Sequence, residues 1–212
     1  NATNLEPMVL TDPEHPEPIF GPAHFLLNPE RVCAMGKDGL ARLWSLDTGE
    51  VIQRFGEPQY SFNPLVHVSE DGRRLAKTSA LEVEVYDIES GELIKRVSGP
   101  AGGARHLNFS RGGDKLAASS VSLVGDVLIW RVTDESVKPI SSGGPHGGKL
   151  SMMRVIPGDR DLLVTSGGRA NVVFIRDFKT GEIIATLRGH TNEIYAMDAS
   201  ADGAYVASGG RG

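Results

Sequence analysis

The chain has 212 residues, of which 40% are hydrophobic and 23% are charged, as in a folded globular protein. Its formal net charge of -5 disfavours a protein that binds nucleic acid through a globally basic surface. No apolar run approaches the roughly 18–20 residues of a membrane span, so no membrane partner is expected. Because Cys33 is the one cysteine, no intrachain disulfide can form, and a cytoplasmic location is expected.

Taken in chain order, the sequence repeats one short phrase four times. Each copy has an apolar residue, a second residue that is aromatic in three copies, and then a polar turn, and the second residues are Trp44, Tyr86, Trp130 and Arg176. The steps between these positions are 42, 44 and 46 residues. A repeat of this length with an aromatic residue near the end of a strand is typical of the blades of a β-propeller.

Each phrase is expected to form the third strand of a four-stranded antiparallel blade. Tight turns precede it, as at Asp71-Gly72 and Asp202-Gly203, where glycine accepts a positive φ without a steric clash. The predicted second strands span residues 31–35, 74–78, 115–119, 161–166 and 204–208. The predicted fourth strands span residues 51–55, 93–97, 137–141 and 183–187. Their Val, Ile and Leu content suits strands that are packed on both faces.

The predicted fold class is therefore all-β, a β-propeller of four-stranded antiparallel blades, and residues 1–212 form one such domain or part of one. Four full repeats would span about 22–56, 57–99, 100–143 and 144–189, between half blades at 1–21 and 190–212. In the first half blade, residues 8–13 resemble the end of a third strand and its turn, and residues 17–20 resemble a fourth strand. Two interpretations stay open: the chain is a slice of a longer propeller, or its last two strands pair with its first two in a composite blade.

The period and the phrase resemble the WD-repeat (WD40) β-propeller family over essentially the whole chain. Blades of this family often hold a buried hydrogen-bond network of a His before the first strand, a Ser in the second, an Asp in the next turn and a Trp in the third. The resemblance implies such a structural role for Asp38, Trp44, Trp130, Ser166 and His190. No repeat holds the complete set, and a half-satisfied polar network is costly, so apolar packing is expected to dominate.

The candidate chemistry is sparse. The sequence contains no nucleophile elbow, phosphate-binding loop or zinc-protease motif, and the glycine-rich segment 143–149 is interpreted as a connection between blades. The carboxylates lie at turns rather than in a converging pair, so neither an enzyme nor a cofactor is predicted. His24, His67 and His106 fall in predicted first strands, which line the central channel in the resembled family. The alternative is a metal-binding or catalytic propeller that uses these histidines.

A charge asymmetry is the strongest indication of a binding face. In the resembled family, the loops between strands two and three and between blades lie at one end, where peptide partners often bind. Basic residues expected at this end are Lys37, Arg105, Lys149, Arg169, Arg188 and Arg211. We expect them to bind an acidic or phosphorylated peptide, because arginine forms a fork for carboxylate and phosphate. Since acidic residues share that end, a solvated rim of mixed charge is the alternative; these residues are Asp38, Glu57, Asp126 and Glu193.

The predicted function is therefore a non-catalytic scaffold for protein–protein interaction, with a protein or peptide as its partner. Nucleic acid is disfavoured as a partner, because few aromatic residues interleave with the basic ones. Single-stranded nucleic acid is usually bound by stacking its bases on aromatic rings.

Overall fold

The computed structural model describes residues 8–27, 30–122, 125–136, 139, 146, 148–156, 158, 160–167 and 171–211. These residues form seventeen β-strands in five antiparallel sheets, and no helix occurs among them. The all-β architecture of repeated antiparallel blades, expected from the sequence period, is thus confirmed.

In each sheet the strands follow one another along the chain, with the first strand at one edge. Sheet 1 contains β1 (His24–Leu27), β2 (Glu30–Met35), β3 (Ala41–Ser45) and β4 (Val51–Phe55). Sheet 2 contains β5 (Val66–Val68), β6 (Arg74–Ser79), β7 (Glu82–Asp87) and β8 (Leu93–Ser98). The described strands of sheet 3 are β9 (Ala104–Phe109), β10 (Lys115–Ser120) and β11 (Val127–Arg131). Sheet 4 contains β12 (Leu150–Ile156), β13 (Leu162–Gly167), β14 (Val173–Asp177) and β15 (Ile183–Leu187). Sheet 5 contains β16 (Ile194–Ala199) and β17 (Val206–Gly210).

The strands lie close to their predicted positions. The second strands of all five sheets agree with the predicted bounds to within two residues, as do the fourth strands β4, β8 and β15. The fourth strand predicted at 137–141 falls almost wholly outside the described residues. The residues that define the repeated phrase lie in the third strands β3, β7, β11 and β14.

The sheets stack face to face, and each interface is an apolar core. Leu43 and Phe55 of sheet 1 belong to one cluster with Leu75 and Tyr86 of sheet 2. The other face of sheet 2 packs against sheet 3 around Trp130, and sheets 3, 4 and 5 continue the stack in the same way. Because a strand in such a stack is covered on both faces, its sequence shows a continuous apolar run rather than an alternation.

Residues 8–20, which we name the N-terminal strap, cover the outer face of sheet 1. Leu10 packs against the cluster that contains Trp44, and the Trp44 Nε1 atom donates to the carbonyl oxygen of Thr11 at 3.1 Å. The end of a third strand does not form at 8–12, although the turn after it does, and at 17–20 the one ladder contact is an isolated bridge between Ile19 and Gly36. Three prolines within the strap lack the N–H donors that a strand needs. In the described chain β17 pairs with β16 alone, so the composite blade is not observed.

Two aspartates of the repeated phrase cap turns. The Asp87 side chain accepts hydrogen bonds from the backbone N–H groups of Glu89 and Ser90 at 3.1 and 2.8 Å, and Asp177 holds its turn in the same way. Gly91, in the first of these turns, has a φ of 74°, a conformation that other residues adopt only with strain. Turn chemistry therefore explains these two carboxylates.

Candidate functional site

The loops between β2 and β3, β4 and β5, β6 and β7, and β8 and β9 meet at one end of the molecule, which we name the loop face. Backbone hydrogen bonds tie these loops together: Gln59 N donates to Asp38 O at 2.6 Å, and Ser61 N donates to Lys37 O at 2.8 Å. Gly39 has a φ of 78°, and a Cβ there would clash with the backbone of Gln59. The β4–β5 loop is thus held against the β2–β3 turn by main-chain contacts.

An apolar groove of about 330 Å³ opens on the loop face between sheets 2 and 3. Its walls include Tyr60, Phe62, Leu81 and Val121. The Tyr60 and Phe62 rings contact each other edge to face, with centroids 5.1 Å apart, although their residues are 62% and 92% exposed. An aromatic pair that is packed in place and still open to solvent is typical of a protein-binding surface.

Two polar side chains that line the groove are hydrogen-bonded within the protein. The Thr78 hydroxyl accepts a hydrogen bond from Leu65 N at 3.0 Å and donates one to Asn63 O at 3.2 Å. The Asn63 amide in turn donates to Ala104 O at 2.6 Å. Because these groups are satisfied within the protein, the groove offers an occupant mainly carbon surface.

Leu81 stands on the rim of the groove next to a strained backbone. Ala80 has a φ of 51°, in the left-handed region that residues with a Cβ rarely adopt. The Leu81 carbonyl oxygen is fixed by a hydrogen bond from Gly99 N at 2.8 Å, and its side chain is 65% exposed. The groove was not predicted from the sequence. The feature that indicates it there is the pair of aromatic residues in a loop bounded by Pro58 and Pro64.

The predicted basic residues differ in their exposure to solvent. Arg105, Lys149, Arg188 and Arg211 are exposed, and none of them has a salt bridge to any residue that the structure describes. Lys37 is half-buried, and its Nζ atom lies 5.0 Å from the centroid of the Phe20 ring. Arg169 lies outside the described residues.

Three basic side chains of the fourth strands β4 and β8 already have partners within the protein. Arg54 binds Asp12 at 2.6 Å, and Arg96 binds Glu84 at 2.7 Å. Lys95 is largely buried and donates to two carbonyl oxygens of the next sheet, both at 2.7 Å. At this end, the positive charge that a partner could bind is therefore concentrated in Arg105, Lys149, Arg188 and Arg211.

The three histidines expected to line the channel lie on the first strands β1, β5 and β9, as the sequence predicts. The rings of His24 and His67 are 4.8 Å apart, and His106 Nδ1 lies 2.8 Å from the Ser119 hydroxyl. Burial lowers the pKa of His67 to about 3 and, together with the charge of Arg105, that of His106 to about 4. In the described part of the chain, no three His, Cys, Asp or Glu side chains are grouped to hold a metal ion. The histidines are neutral packing residues at pH 7.

The residues expected in the buried network have different partners in each sheet. Asp38 binds Arg42 through both of its carboxylate oxygens, and Arg42 also donates to Asp12 at 2.7 Å. His190 Nε2 lies 2.8 Å from the Ser208 hydroxyl, as the resemblance implies. The Trp130 Nε1 atom is buried with no hydrogen-bond partner in the described structure.

In sheet 4, Thr165 rather than the predicted Ser166 is the partner of a histidine. His146 Nε2 lies 3.1 Å from the Thr165 hydroxyl, whereas the Ser166 hydroxyl is buried without a partner among the described residues. The pairing of β12 with β13 shifts between Leu150 and Met152, an irregularity that adds one residue to one strand. His146 was missed because its glycine-rich surroundings indicate a loop.

Comparison with known proteins agrees with this geometry. The family described as WD domain, G-beta repeat, matches residues 181–212, which include β15, His190 and sheet 5. Residues 181–212 thus resemble one repeat of this family. Nuclear distribution protein PAC1 of Arthroderma otae is 31% identical to this chain over 137 residues. The PAC1 proteins of Arthroderma benhamiae and Trichophyton verrucosum are each 29% identical to it over 136 residues.

These similarities cover 60% of this chain in each case, and the chain spans 29% of the length of each relative. Within the described residues, no helix is long and apolar enough to cross a membrane.

Proposed function

We propose that the loop face of this chain binds a protein or peptide partner, and that the chain acts as a non-catalytic interaction scaffold. WD repeats indicate such a scaffold, and the observation that supports this particular face is the exposed edge-to-face pair of Tyr60 and Phe62. Water solvates two such rings poorly, and covering them by a partner would stabilise a complex by the hydrophobic effect.

The opposite end of the molecule also exposes aromatic residues, but neither Phe25 nor Tyr205 contacts another ring among the described residues. Several basic side chains at that end bind the next sheet; Lys115, for example, contacts Asp114 and Asp161 at 2.8 and 3.3 Å. The packed pair of exposed rings on the loop face is the difference between the two ends that supports the assignment.

Masking each end in turn tests the proposal. Cys33 is fully buried, and burial raises the pKa of its thiol to about 12, so a maleimide would label an introduced surface cysteine selectively. Ala101→Cys lies in the β8–β9 loop, and Ala201→Cys lies in the turn between β16 and β17; both positions are exposed. Each variant would carry a polyethylene glycol chain and be used as bait in cell extract.

We expect the Ala101→Cys conjugate to lose the partners that the unlabelled variant captures and the Ala201→Cys conjugate to retain them. Identical partner sets for the two conjugates, or loss from the Ala201→Cys conjugate alone, would contradict the assignment to the loop face. Equal thermal unfolding of the two labelled variants is the control for folding.

A further inference from the structure

The apolar groove adjoins a second concavity at the mouth of the central channel. This channel-mouth pocket has a volume of about 240 Å³, and its lining includes His24, Arg105, His106 and Arg154. Ala104 lines the groove, and the next residue, Arg105, lines the pocket. An extended peptide that crosses from one to the other therefore has to advance by only one or two residues, roughly 7 Å.

The two concavities differ in their chemistry. Among the described residues, the groove has no charged lining residue, and its Thr78 and Asn63 side chains are hydrogen-bonded within the protein. The described lining of the channel-mouth pocket includes two arginines and no carboxylate. Arg105 is exposed and has no salt bridge within the described chain, and the Asp198 carboxylate that faces Arg154 is 3.9 Å away. The histidines there are neutral at pH 7, so the positive charge comes from the arginines.

We propose that these two concavities form one bipartite site for an extended peptide that carries a large apolar side chain and, one or two residues away, an anionic side chain. The apolar side chain enters the groove beside Phe62 and Leu81, and the anionic group binds Arg105. This inference rests on the proposed function, since it specifies the partner of the loop face.

Charge complementarity decides the second half of the site. A guanidinium group that is exposed and unpaired can bind a carboxylate or a phosphate through two parallel hydrogen bonds. The apolar half supplies the burial that an exposed ion pair lacks, because exposed ion pairs alone contribute little to affinity. Neither half is expected to hold a peptide alone, and this predicts that both features occur together in every bound sequence.

The first test is selection of random nine-residue peptides, displayed on phage, against the immobilised 212-residue chain. We expect the enriched peptides to share a Phe, Leu, Ile, Met or Trp that is followed or preceded within two residues by Asp or Glu. Enrichment of peptides without this pair, or no enrichment above an empty surface, overturns the proposal.

The second test measures one enriched peptide by fluorescence anisotropy. Phe62→Ala and Arg105→Glu should each weaken binding by about tenfold or more, the loss typical of a hot-spot contact. Tyr205→Ala and Lys179→Glu are the matched controls: they truncate an aromatic residue and reverse a charge at exposed positions of the opposite end. They should leave the affinity within about twofold, as for residues outside an interface. Equal losses for the two pairs of variants would count against the site.

Synthetic analogues of that peptide identify the anionic group. Replacing its acidic residue by Lys should abolish binding to the parent chain and restore binding to the Arg105→Glu variant. A phosphoserine analogue that binds more tightly than the carboxylate peptide would identify a phosphorylated partner, and the reverse order would identify an acidic one. If the mask at Ala101 removes captured partners but no enriched peptide has the apolar–acidic pair, the proposed function stands and the bipartite site is wrong.

Discussion

At the scale of single residues, Trp44 and Trp130 show how unequal two equivalent positions can be. Both lie in third strands, and both are 1% exposed. The indole N–H of Trp44 donates to Thr11 O, whereas that of Trp130 has no acceptor in the part of the chain that the structure describes. Leaving a buried donor unsatisfied costs about 1–3 kcal/mol.

Replacing each tryptophan by phenylalanine removes a similar volume and one N–H group. Both changes should lower the free energy of unfolding, and the loss for Trp44→Phe should be larger by about 1–2 kcal/mol. Only Trp44→Phe breaks a hydrogen bond. Urea unfolding followed by circular dichroism measures both values. Equal losses, or a larger loss for Trp130→Phe, would contradict the assigned hydrogen bonds.

Arg176 is a second residue whose environment departs from its repeat position. It takes the place that the other three repeats give to an aromatic residue, and it is 4% exposed. Its Nη1 atom donates to Gly181 O at 3.1 Å, but Nε and Nη2 have no partner among the described residues. Burial lowers the pKa of this guanidinium group, which shows that sheet 4 holds its charge at a cost.

At the scale of elements, the N-terminal strap is held by charge as well as by apolar packing. Asp12 binds Arg54 at 2.6 Å and Arg42 at 2.7 Å, and Arg42 is completely buried. The hydrogen bonds from Arg54 and then Arg42 hold the pKa of Asp12 well below its ordinary value. Removing one partner of a buried pair is costly because the remaining charge is left in a poorly solvated site.

The lowered pKa of Asp12 gives a signed pH dependence. The carboxylate stabilises the folded chain at any pH above the unfolded-state value, and this contribution declines as the pH falls below about 4. At pH 7, Asp12→Asn should reduce the free energy of unfolding by about 2–3 kcal/mol, since Arg42 keeps Asp38 as a partner. The variant should also flatten the decline of stability below about pH 4.

Urea unfolding at several pH values between about 3 and 7 measures this effect. Asp47→Asn, at an exposed turn position, is the matched control and should behave as the parent chain. A parent-like acid profile for Asp12→Asn would refute the role given to the strap.

At the scale of the whole molecule, the sheets pack in chain order, and each contacts mainly its neighbours. Sheets 2, 3 and 4 are covered on both faces, and the N-terminal strap covers the outer face of sheet 1. Sheet 5 packs against sheet 4 on one face only, and four of the five residues of β17 are exposed. In stacked repeats, stability is a sum of local and nearest-neighbour terms, so it is not uniform.

Hydrogen exchange followed by mass spectrometry should show this gradient. The amides of β10, in the middle of the stack, should be the most protected, and those of β17 should exchange orders of magnitude faster, because local opening there exposes little new apolar surface. Similar protection of β10 and β17 would show that the chain opens as a single cooperative unit.

The sequence by itself determined the features that depend on local chemistry and on the period. Residues at a spacing of about 44 lie in successive third strands, the Gly91 turn needs a residue without a Cβ, and the channel histidines fall on first strands. Strand positions follow from apolar runs and turn residues, which act over a few residues and are visible in one sequence.

Only the tertiary structure decided which side chains meet across sheets. Asp12 reaches Arg42 from a segment thirty residues away, Thr165 rather than Ser166 contacts His146, and the groove combines residues from 60 to 121. A shift of one residue reverses the face to which a strand side chain points, so choosing the wrong one of two neighbouring residues changes the predicted partner of a histidine. Contacts between blades depend on such registers, and no local pattern specifies them.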